Sequence, residues 1–588
     1  MPESSLVGTG CFLPRPALPF SYDSRIARTI PALWHHAVAE KRAAPAYLAE
    51  DEDGWREVSW DEAARRVEDI AFGLLARGIK KGNVIGIMAA TRLEWVLADF
   101  ALARIGAVTA PIYATSSAGD CAYMLGLVEA VGVFVDEDRR PLVPALPHVL
   151  SLEELDELEE RGRTYREQNP DALAEAERQI REDDLYTFIY TSGTTGAPKA
   201  CMIRHRNYYA MAATIDTLDE FTLDQDLLLL YLPLAHNYGR LLVLLGAYEG
   251  YTIAFLADPY STAEALPKVQ PTVLPSVPRL YEKVYTRIKG QFDSAAGVRR
   301  RLITWALEVG REAMPYKLRD EPLPSGLARK HRIADRLVYS KVKEKLGGRL
   351  RVAISGGAPL APEIAEFFLT LDILILEGYG LSECTTACSV NLPGRVKFGT
   401  VGQILPDFEV RTADDGEILI RSDTVFAGYY KDEEATRAAI DADGWLHSGD
   451  IGEIDEDGYL LITDRKKDII VTAGGKNLAP QNLENALKSS NLISQALVVG
   501  DRRPYVVALI SLDEDEVDGM PAEEAHAEVE RIVENVNRNR SRFEQIKRFA
   551  IVPRDFSAEE GEVTPTMKLK RRVVEQNFAA EIERLYAA

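Results

Sequence analysis

Cysteine is scarce in this chain of 588 residues: Cys11, Cys121, Cys201, Cys384 and Cys388 are all it has. Thiols so scattered exclude a disulfide framework and suit a reducing compartment. Cys384 and Cys388 lie four apart, but no further Cys or His cluster completes a zinc site beside them. Positive charge is in deficit. Lys and Arg total 69 against 91 Asp and Glu, a net −22, which excludes general nucleic-acid binding. Long apolar runs are missing too. The most apolar stretch, "LLLLYLPLAHNYG" at 227–239, holds thirteen uncharged residues, short of the roughly eighteen that a membrane-crossing helix needs. The first twenty residues, "MPESSLVGTGCFLPRPALPF", show neither the basic start nor the apolar core of a signal peptide. A soluble, cytoplasmic protein is expected, with no internal repeat and no low-complexity tract.

What is present is ordinary globular material, 46% hydrophobic and 27% charged. The length exceeds what one core supports, so at least two domains are expected. From about 30 to 140, helical and strand patterns alternate. "WDEAARRVEDIAFGLLARG" has apolar residues at helical spacing and ends in glycine, and "VIGIMAA" and "VGVFVD" read as buried strands. That texture predicts an α/β fold with mostly parallel strands. A charged stretch, "LEELDELEERGRTYREQNPDALAEAERQIRED", reads as a helix with a solvated face. After about 400 the texture changes to short strands and turns. Asp415-Gly416, Asp443-Gly444 and Asp457-Gly458 predict hairpins. From "DRKKD" onward a compact β/α pattern of about 120 residues reads as a separate domain.

The chemistry begins at "YTSGTTGAPKA", residues 190–200. Gly193 and Lys199 have the separation of a P-loop. Yet Pro198 takes the place of its second glycine and has no N–H to give, and Ala200 takes the place of its metal-binding hydroxyl. It is a different phosphate clamp. Thr191, Ser192, Thr194 and Thr195 supply hydroxyls, Gly193 and Gly196 let backbone amides approach oxygens, and Lys199 adds a cation. Two further strand-to-loop junctions end in small or polar residues. One carries Gly356, Gly357 and Ala358; the other carries Glu377, Gly378, Tyr379, Ser382 and Glu383. Ligands of α/β proteins collect at such strand ends, so all three are expected around one nucleotide. Tyr379 offers a ring for a base, Ser382 a hydroxyl for the α-phosphate, and Glu383 a carboxylate for Mg²⁺. Asp450 can accept from both ribose hydroxyls, and Arg465 can hold the ribose or a phosphate.

"YTSGTTGAPKA", "EGYGLSE", "GWLHSGDIG", "DRKKDIIVTAGGKNLAP" and "TPTMKLKR" resemble, in order, the core motifs of the adenylate-forming superfamily, most closely its long-chain fatty acyl-CoA synthetase branch. The match runs from about residue 30 to the end. The resemblance implies a large N-terminal domain (1–465) of several subdomains, with mostly parallel sheets and a small β-barrel-like part. A small α+β C-terminal domain (466–588) would follow, pivoting at a hinge near Lys467. It implies ATP and Mg²⁺, with coenzyme A as co-substrate: a long-chain fatty acid becomes an acyl-adenylate, and the thiol of coenzyme A then displaces AMP. Lys568 is the implied catalytic cation, with Lys570 as a nearby competitor and Met567 where glycine is usual. Gly474, Gly475 and Lys476 would approach coenzyme A. His236, in "LPLAHNYGR", would border the carboxylate, though a lone histidine is also commonly structural. Tyr238, Leu241 and Leu242 fit either core or acyl tunnel. Alternatives are a ligase that loads an acyl-carrier protein or uses another hydrophobic acid, and a non-catalytic protein that binds acyl-CoA or ATP.

Residues 287–351 hold 17 Lys and Arg against 7 Asp and Glu, a local +10 in a chain whose remainder is −32. The helical patterns there read either as a solvated hairpin or as a surface for anionic lipid or polyphosphate, the former lipid case placing the protein on the inner face of the membrane. Oligomeric state has no signature in the sequence.

Overall fold

The computed structural model describes residues 27–51, 54–191, 197–218, 225–474, 476–538, 540–557, 559–564 and 569–587. Within them lie two large, mainly parallel sheets. The first has six strands in the order 148–151, 132–135, 84–89, 108–113, 185–191 and 199–204, parallel except for the last pair. The second has nine, with a parallel centre formed by Tyr47–Asp51, Thr252–Phe255, Leu227–Leu230, Val273–Ser276, Val352–Ser355 and Ile375–Tyr379. Strands buried on both faces need apolar residues throughout rather than in alternation. Ile85, Ile87, Met88, Leu229, Leu230, Ile253 and Ala353 meet that need, all fully buried.

Helices close over the sheets. Trp60–Ala76 starts where the Ser59 hydroxyl accepts from Glu62 N–H at 3.1 Å, with Asp61 and Glu62 in the positive first turn. The charged stretch that follows residue 150 is helical with a solvated face, as its sequence reads, but divided into two helices, Leu155–Gln168 and Ala172–Arg178, the first of which packs closely on Trp60–Ala76. Leu155, Leu158 and Gly162 form a narrow stripe among the charges, and a Cβ at Gly162 would sit 1.8 Å from the Asp69 carbonyl. The apolar run at 227–239 is also divided: strand Leu227–Leu230, a turn, then the start of helix Asn237–Glu249. Among the described residues, no helix is long and apolar enough to cross a membrane.

A four-stranded antiparallel sheet follows: Glu409–Thr412, Glu417–Arg421, Leu446–Ile454 and Leu460–Arg465. Asp415-Gly416 and Asp457-Gly458 turn between its paired strands, while Asp443-Gly444 turns between Ile440 and Leu446 just before the third; Gly416, Gly444 and Gly458 take φ of +84°, +81° and +81°, where a side chain is strained. The last part holds a three-stranded sheet, Ile493–Val499, Val506–Leu512 and Ile546–Ile551, with its own apolar clusters. It touches the rest through polar contacts: Arg279 donates to the Ser494 carbonyl (2.8 Å) and hydroxyl (2.7 Å), and Lys488 pairs with Glu282 at 3.5 Å. Cys121, Cys201, Cys384 and Cys388 are buried and unbridged.

Candidate active site

Strands 185–191 and 199–204 pair as a hairpin, with Thr191 opposite Lys199. Ser192, Gly193, Thr194, Thr195 and Gly196, which join them, lie outside the described residues, as do Gly475 and Lys568. What surrounds the hairpin is described. Lys199 Nζ lies 2.9 Å from Asp432 Oδ2 and 5.2 Å from the centre of the Tyr429 ring. The Tyr429 hydroxyl donates to Glu383 Oε1 at 2.7 Å, and the Phe426 N–H donates to the Glu383 carbonyl at 2.9 Å. Tyr429 also bridges to Cys201 on the hairpin itself. The stem of the "YTSGTTGAPKA" loop and the "EGYGLSE" turn, distant in sequence, therefore meet across one tyrosine. Burial, and then the Glu383 charge, push the Tyr429 phenol far above its ordinary range, so it remains a donor.

The second half of the site is built on Asp450. Its Oδ2 accepts from the Tyr379 hydroxyl at 2.6 Å, and Arg465 Nε lies 3.2 Å from Oδ1. Asp450 and Arg465 are register partners on the strands Leu446–Ile454 and Leu460–Arg465. Burial opposes the charge on Arg465; Asp450, Asp468 and Glu383 outweigh it and hold the pKa above its ordinary value. Lys467 sits lower than an ordinary lysine, first through burial and then through Arg465, with Asp468, Asp450 and Glu383 opposing. Glu383, Asp450, Arg465 and Lys467 thus share one electrostatic neighbourhood. Lys466 is held differently, at 2.6 Å from Asp415 and 3.0 Å from Glu417.

At the third junction, Gly356 N–H donates to the Ser276 carbonyl at 3.1 Å, and Gly357 takes φ +83°. Gly357 and Ala358 are exposed. A Cβ on Gly356 would lie 3.5 Å from the Tyr238 ring, and the buried Tyr238 hydroxyl has no hydrogen-bond partner among the described residues. Glu377 turns inward instead: it is 7% exposed, and its Oε1 accepts from Leu360 N–H at 3.1 Å. Burial raises its pKa to about 7. Gly378 continues the strand that ends at Tyr379. His236 caps helix Asn237–Glu249, its Nδ1 accepting from Tyr238 N–H at 3.2 Å. Leu241 and Leu242 are buried in the main core. Gly474 and Lys476 lie on the turn between Ile470–Val471 and Asn477–Leu478. The described hydrogen bonds of that turn stay within the C-terminal part, such as Ala473 N–H to Arg503 O at 2.9 Å.

Sequence reasoning did not single out Tyr429, Asp432 or Asn237. Tyr429 stands in "RSDTVFAGYY", and nothing in its spacing marks it apart from Tyr430; only the fold selects it. For a cation, Glu383 offers oxygen, one of its two oxygens being bonded to Tyr429. Among the described residues, no group of three or more His, Cys, Asp and Glu side chains could hold a metal ion. A carboxylate completed by phosphate oxygens is how Mg²⁺ is commonly bound beside nucleotides, so the donor set fits it.

Two mainly parallel sheets with a small antiparallel sheet meeting at such a site, followed by a small C-terminal unit, are the architecture of adenylate-forming enzymes. The fold is similar to that of the anthranilate CoA ligase AuaEII solved with anthranoyl-AMP (TM-score 0.75, 18% identity, covering 95% of this chain and 99% of that one). It is similar too to the adenylation domain of a carboxylate reductase from Mycobacterium chelonae (TM-score 0.74, 22% identity, 95% and 91%). The AMP-binding enzyme model matches residues 34–430, and the AMP-binding enzyme C-terminal domain model matches 467–588. The chain belongs to the AMP-binding enzyme family. Its curated relatives include the long-chain-fatty-acid–CoA ligase FadD15 of Mycobacterium tuberculosis, 38% identical over 90% of this chain and 92% of the relative. The long-chain-fatty-acid–CoA ligase 6 of Mus musculus is 31% identical over 91% and 83%.

Proposed function

We propose that this protein is an AMP-forming long-chain fatty acid:CoA ligase. The observation that carries the reading is the meeting of Lys199 and Glu383 on either side of Tyr429, with Asp450 and Arg465 beside them and relatives of that named activity. A carboxylate is a poor acyl donor because oxide would have to leave. Its oxygen instead attacks the α-phosphorus of ATP, and pyrophosphate departs. The coenzyme A sulfur then attacks the acyl carbon, loses its proton, and AMP departs. In this reading Thr191, Lys199 and the loop at 192–196 grip the outer phosphates. Gly356, Gly357, Ala358, Gly378 and Tyr379 flank the base, and Glu377 fixes the loop at Leu360. Asp450, oriented by Tyr379 and Arg465, accepts from the ribose. Ser382 meets the α-phosphate, and His236 borders the acid. Glu383 would hold Mg²⁺, which supplies charge neutralisation at the phosphates. Lys568 is the cation that offsets repulsion between carboxylate and phosphate. The unit from 466 onward pivots at Lys467, bringing Gly474, Gly475 and Lys476 toward coenzyme A.

ATP–pyrophosphate exchange across acids from acetate to palmitate, followed by coenzyme A, tests this. Exchange that rises with chain length and then yields acyl-CoA is expected. Binding of ATP and palmitate without exchange would instead support a silent binding protein. Adenylate formed but released only to an acyl carrier would support the carrier-loading alternative.

Contact with an anionic membrane has its own support. The helices Gly297–Lys317 and Ser325–Ala334 and the π-turn Asp335–Tyr339 expose Val298, Ile333 and Leu337, 81%, 45% and 40% accessible. Arg329, Arg332, Arg336 and Lys341 are exposed along the same run at helical spacing. Apolar residues set among cations suit an anionic lipid surface. Sedimentation with liposomes should increase with anionic lipid and fall with salt; indifference to both rejects the contact.

A further inference from the structure

The turn that carries Ser382 and Glu383 is strained. Thr385 and Thr386 have φ of +54° and +99°, the left-handed side that β-branched residues avoid. Gly380 lets the turn fold back, since a Cβ there would sit 1.6 Å from the Thr386 carbonyl. A conformation of that kind persists only where its surroundings over-determine it, and such strain gathers at functional sites. The Thr385 hydroxyl donates to the Thr424 carbonyl at 2.5 Å, and the Thr386 hydroxyl reaches the Asn237 carbonyl at 3.5 Å. Besides Tyr429 and Phe426, which hold Glu383, a further restraint is the Asn237 side chain. It is buried, its Nδ2 donates to the Ser382 carbonyl at 3.3 Å, and its Oδ1 accepts from the Tyr208 hydroxyl. A carbonyl can only accept, so Nδ2 must face Ser382 and Oδ1 must face Tyr208.

Asn237 directly follows His236, at the first turn of its helix. Tyr208 packs edge-on against Tyr186, 5.8 Å between centroids. Tyr186 lies on the strand that runs into the phosphate loop and donates to Asp99 at 2.6 Å. One buried amide therefore joins three parts: the turn with Ser382 and Glu383, the helix start beside His236, and the aromatic core under the phosphate strand.

We propose that Asn237 is a positioning residue for adenylation, holding the Ser382–Glu383 turn at a fixed distance from His236 and from the phosphate strand. The assignment rests on the ligase reading above. Asn237 touches no reacting atom. It acts through Ser382 and Glu383, so its loss should damage the half-reaction in which phosphate charge develops and spare the half-reaction in which the thiol attacks the finished adenylate.

The test uses the full chain as wild type, Asn237→Asp and Tyr208→Phe, each assayed for both half-reactions and for Mg²⁺ dependence. Asn237→Asp keeps the acceptor for Tyr208 and removes the donor to Ser382. Its palmitate-dependent ATP–pyrophosphate exchange should fall about 10- to 100-fold, the scale of a misplaced reacting group, and half-maximal exchange should need more Mg²⁺. Conversion of supplied palmitoyl-adenylate and coenzyme A to palmitoyl-CoA should stay near the wild-type rate. Tyr208→Phe keeps the ring and removes the other link, so it should show the same split more weakly; it decides the matter where Asn237→Asp does not fold. A purely structural role lowers both half-reactions alike, and that result, or exchange at the wild-type rate, overturns the assignment while the ligase reading stands. Wild type without exchange for any acid overturns the ligase reading, and this assignment falls with it.

Discussion

The Tyr429 hydroxyl lies 2.7 Å from Glu383 Oε1 while its ring lies 5.2 Å from the Lys199 ammonium. The tyrosine therefore touches both the proposed Mg²⁺ carboxylate and the stem of the proposed phosphate loop. Tyr429→Phe keeps the ring beside Lys199 and removes only the bond to Glu383. A hydrogen bond to a charged acceptor is worth about 1.5–3 kcal/mol, so adenylation should fall about tenfold or more. The fall should be greatest at low Mg²⁺. Exchange rates measured over a Mg²⁺ titration check this; a uniform loss at every concentration would argue that Tyr429 does not act through Glu383.

Asp450 accepts from Tyr379 and pairs with Arg465 while buried. Asp450→Ala removes the proposed ribose acceptor and leaves both partners without their carboxylate. KM for ATP should rise about tenfold or more, with a smaller effect on the second half-reaction once adenylate is supplied. Steady-state kinetics with ATP varied provide the measurement, and an unchanged KM would remove Asp450 from the nucleotide site.

How much of this was legible beforehand differs by residue. Glu383, Asp450 and Arg465 could be read from the chain because each stands in a short motif whose local geometry, strand end or hairpin, is written in Gly and Asp-Gly punctuation. Tyr429 and Asn237 could not, because each matters through a partner distant in the chain, and no local pattern encodes which tyrosine or asparagine a fold will bring there. Helix Leu155–Gln168 shows a related limit. Its apolar stripe is only Leu155, Leu158 and Gly162, and a glycine that permits close approach carries no hydropathy signal. The run at 227–239 was legible as too short to cross a membrane but not as a strand followed by a helix start, since short apolar runs suit both.

Glu377 sets a pH dependence of stability. Burial raises its pKa to about 7, against about 4.3 for an exposed glutamate. The folded protein therefore holds a proton there that the unfolded chain has released between those values. Stability from this group is fully present below about pH 4 and is lost as pH rises toward and through 7, by a few kcal/mol in all. Asp464, raised to about 6 by burial, adds to the same slope. Glu377→Gln cannot ionise and should flatten the decline. Urea unfolding at pH 5, 6, 7 and 8 is the measurement, and equal slopes in wild type and variant would refute the assignment.

Arg240 and Asp99 form an ion pair among the most enclosed in the chain, 1% and 4% exposed. Arg240 also lies over the Tyr186 ring at 4.5 Å and donates to Thr187, both on the strand that enters the proposed phosphate loop. Burial opposes its charge, and Asp99 with Tyr186 and Tyr208 more than restores it. Removing one partner strands a charge where water cannot reach it, so Asp99→Ala should cost about 3–5 kcal/mol. Replacing both, as Asp99→Leu with Arg240→Met, removes the stranded charge and should recover much of that loss. Denaturant midpoints of Asp99→Leu, Arg240→Met and the double variant form a cycle that isolates the coupling. If the double variant is as unstable as the sum of the singles, the pair contributes nothing as a pair. Recovery of stability without recovery of exchange activity would show that the charges are retained there to seat the phosphate strand, and not to hold the fold.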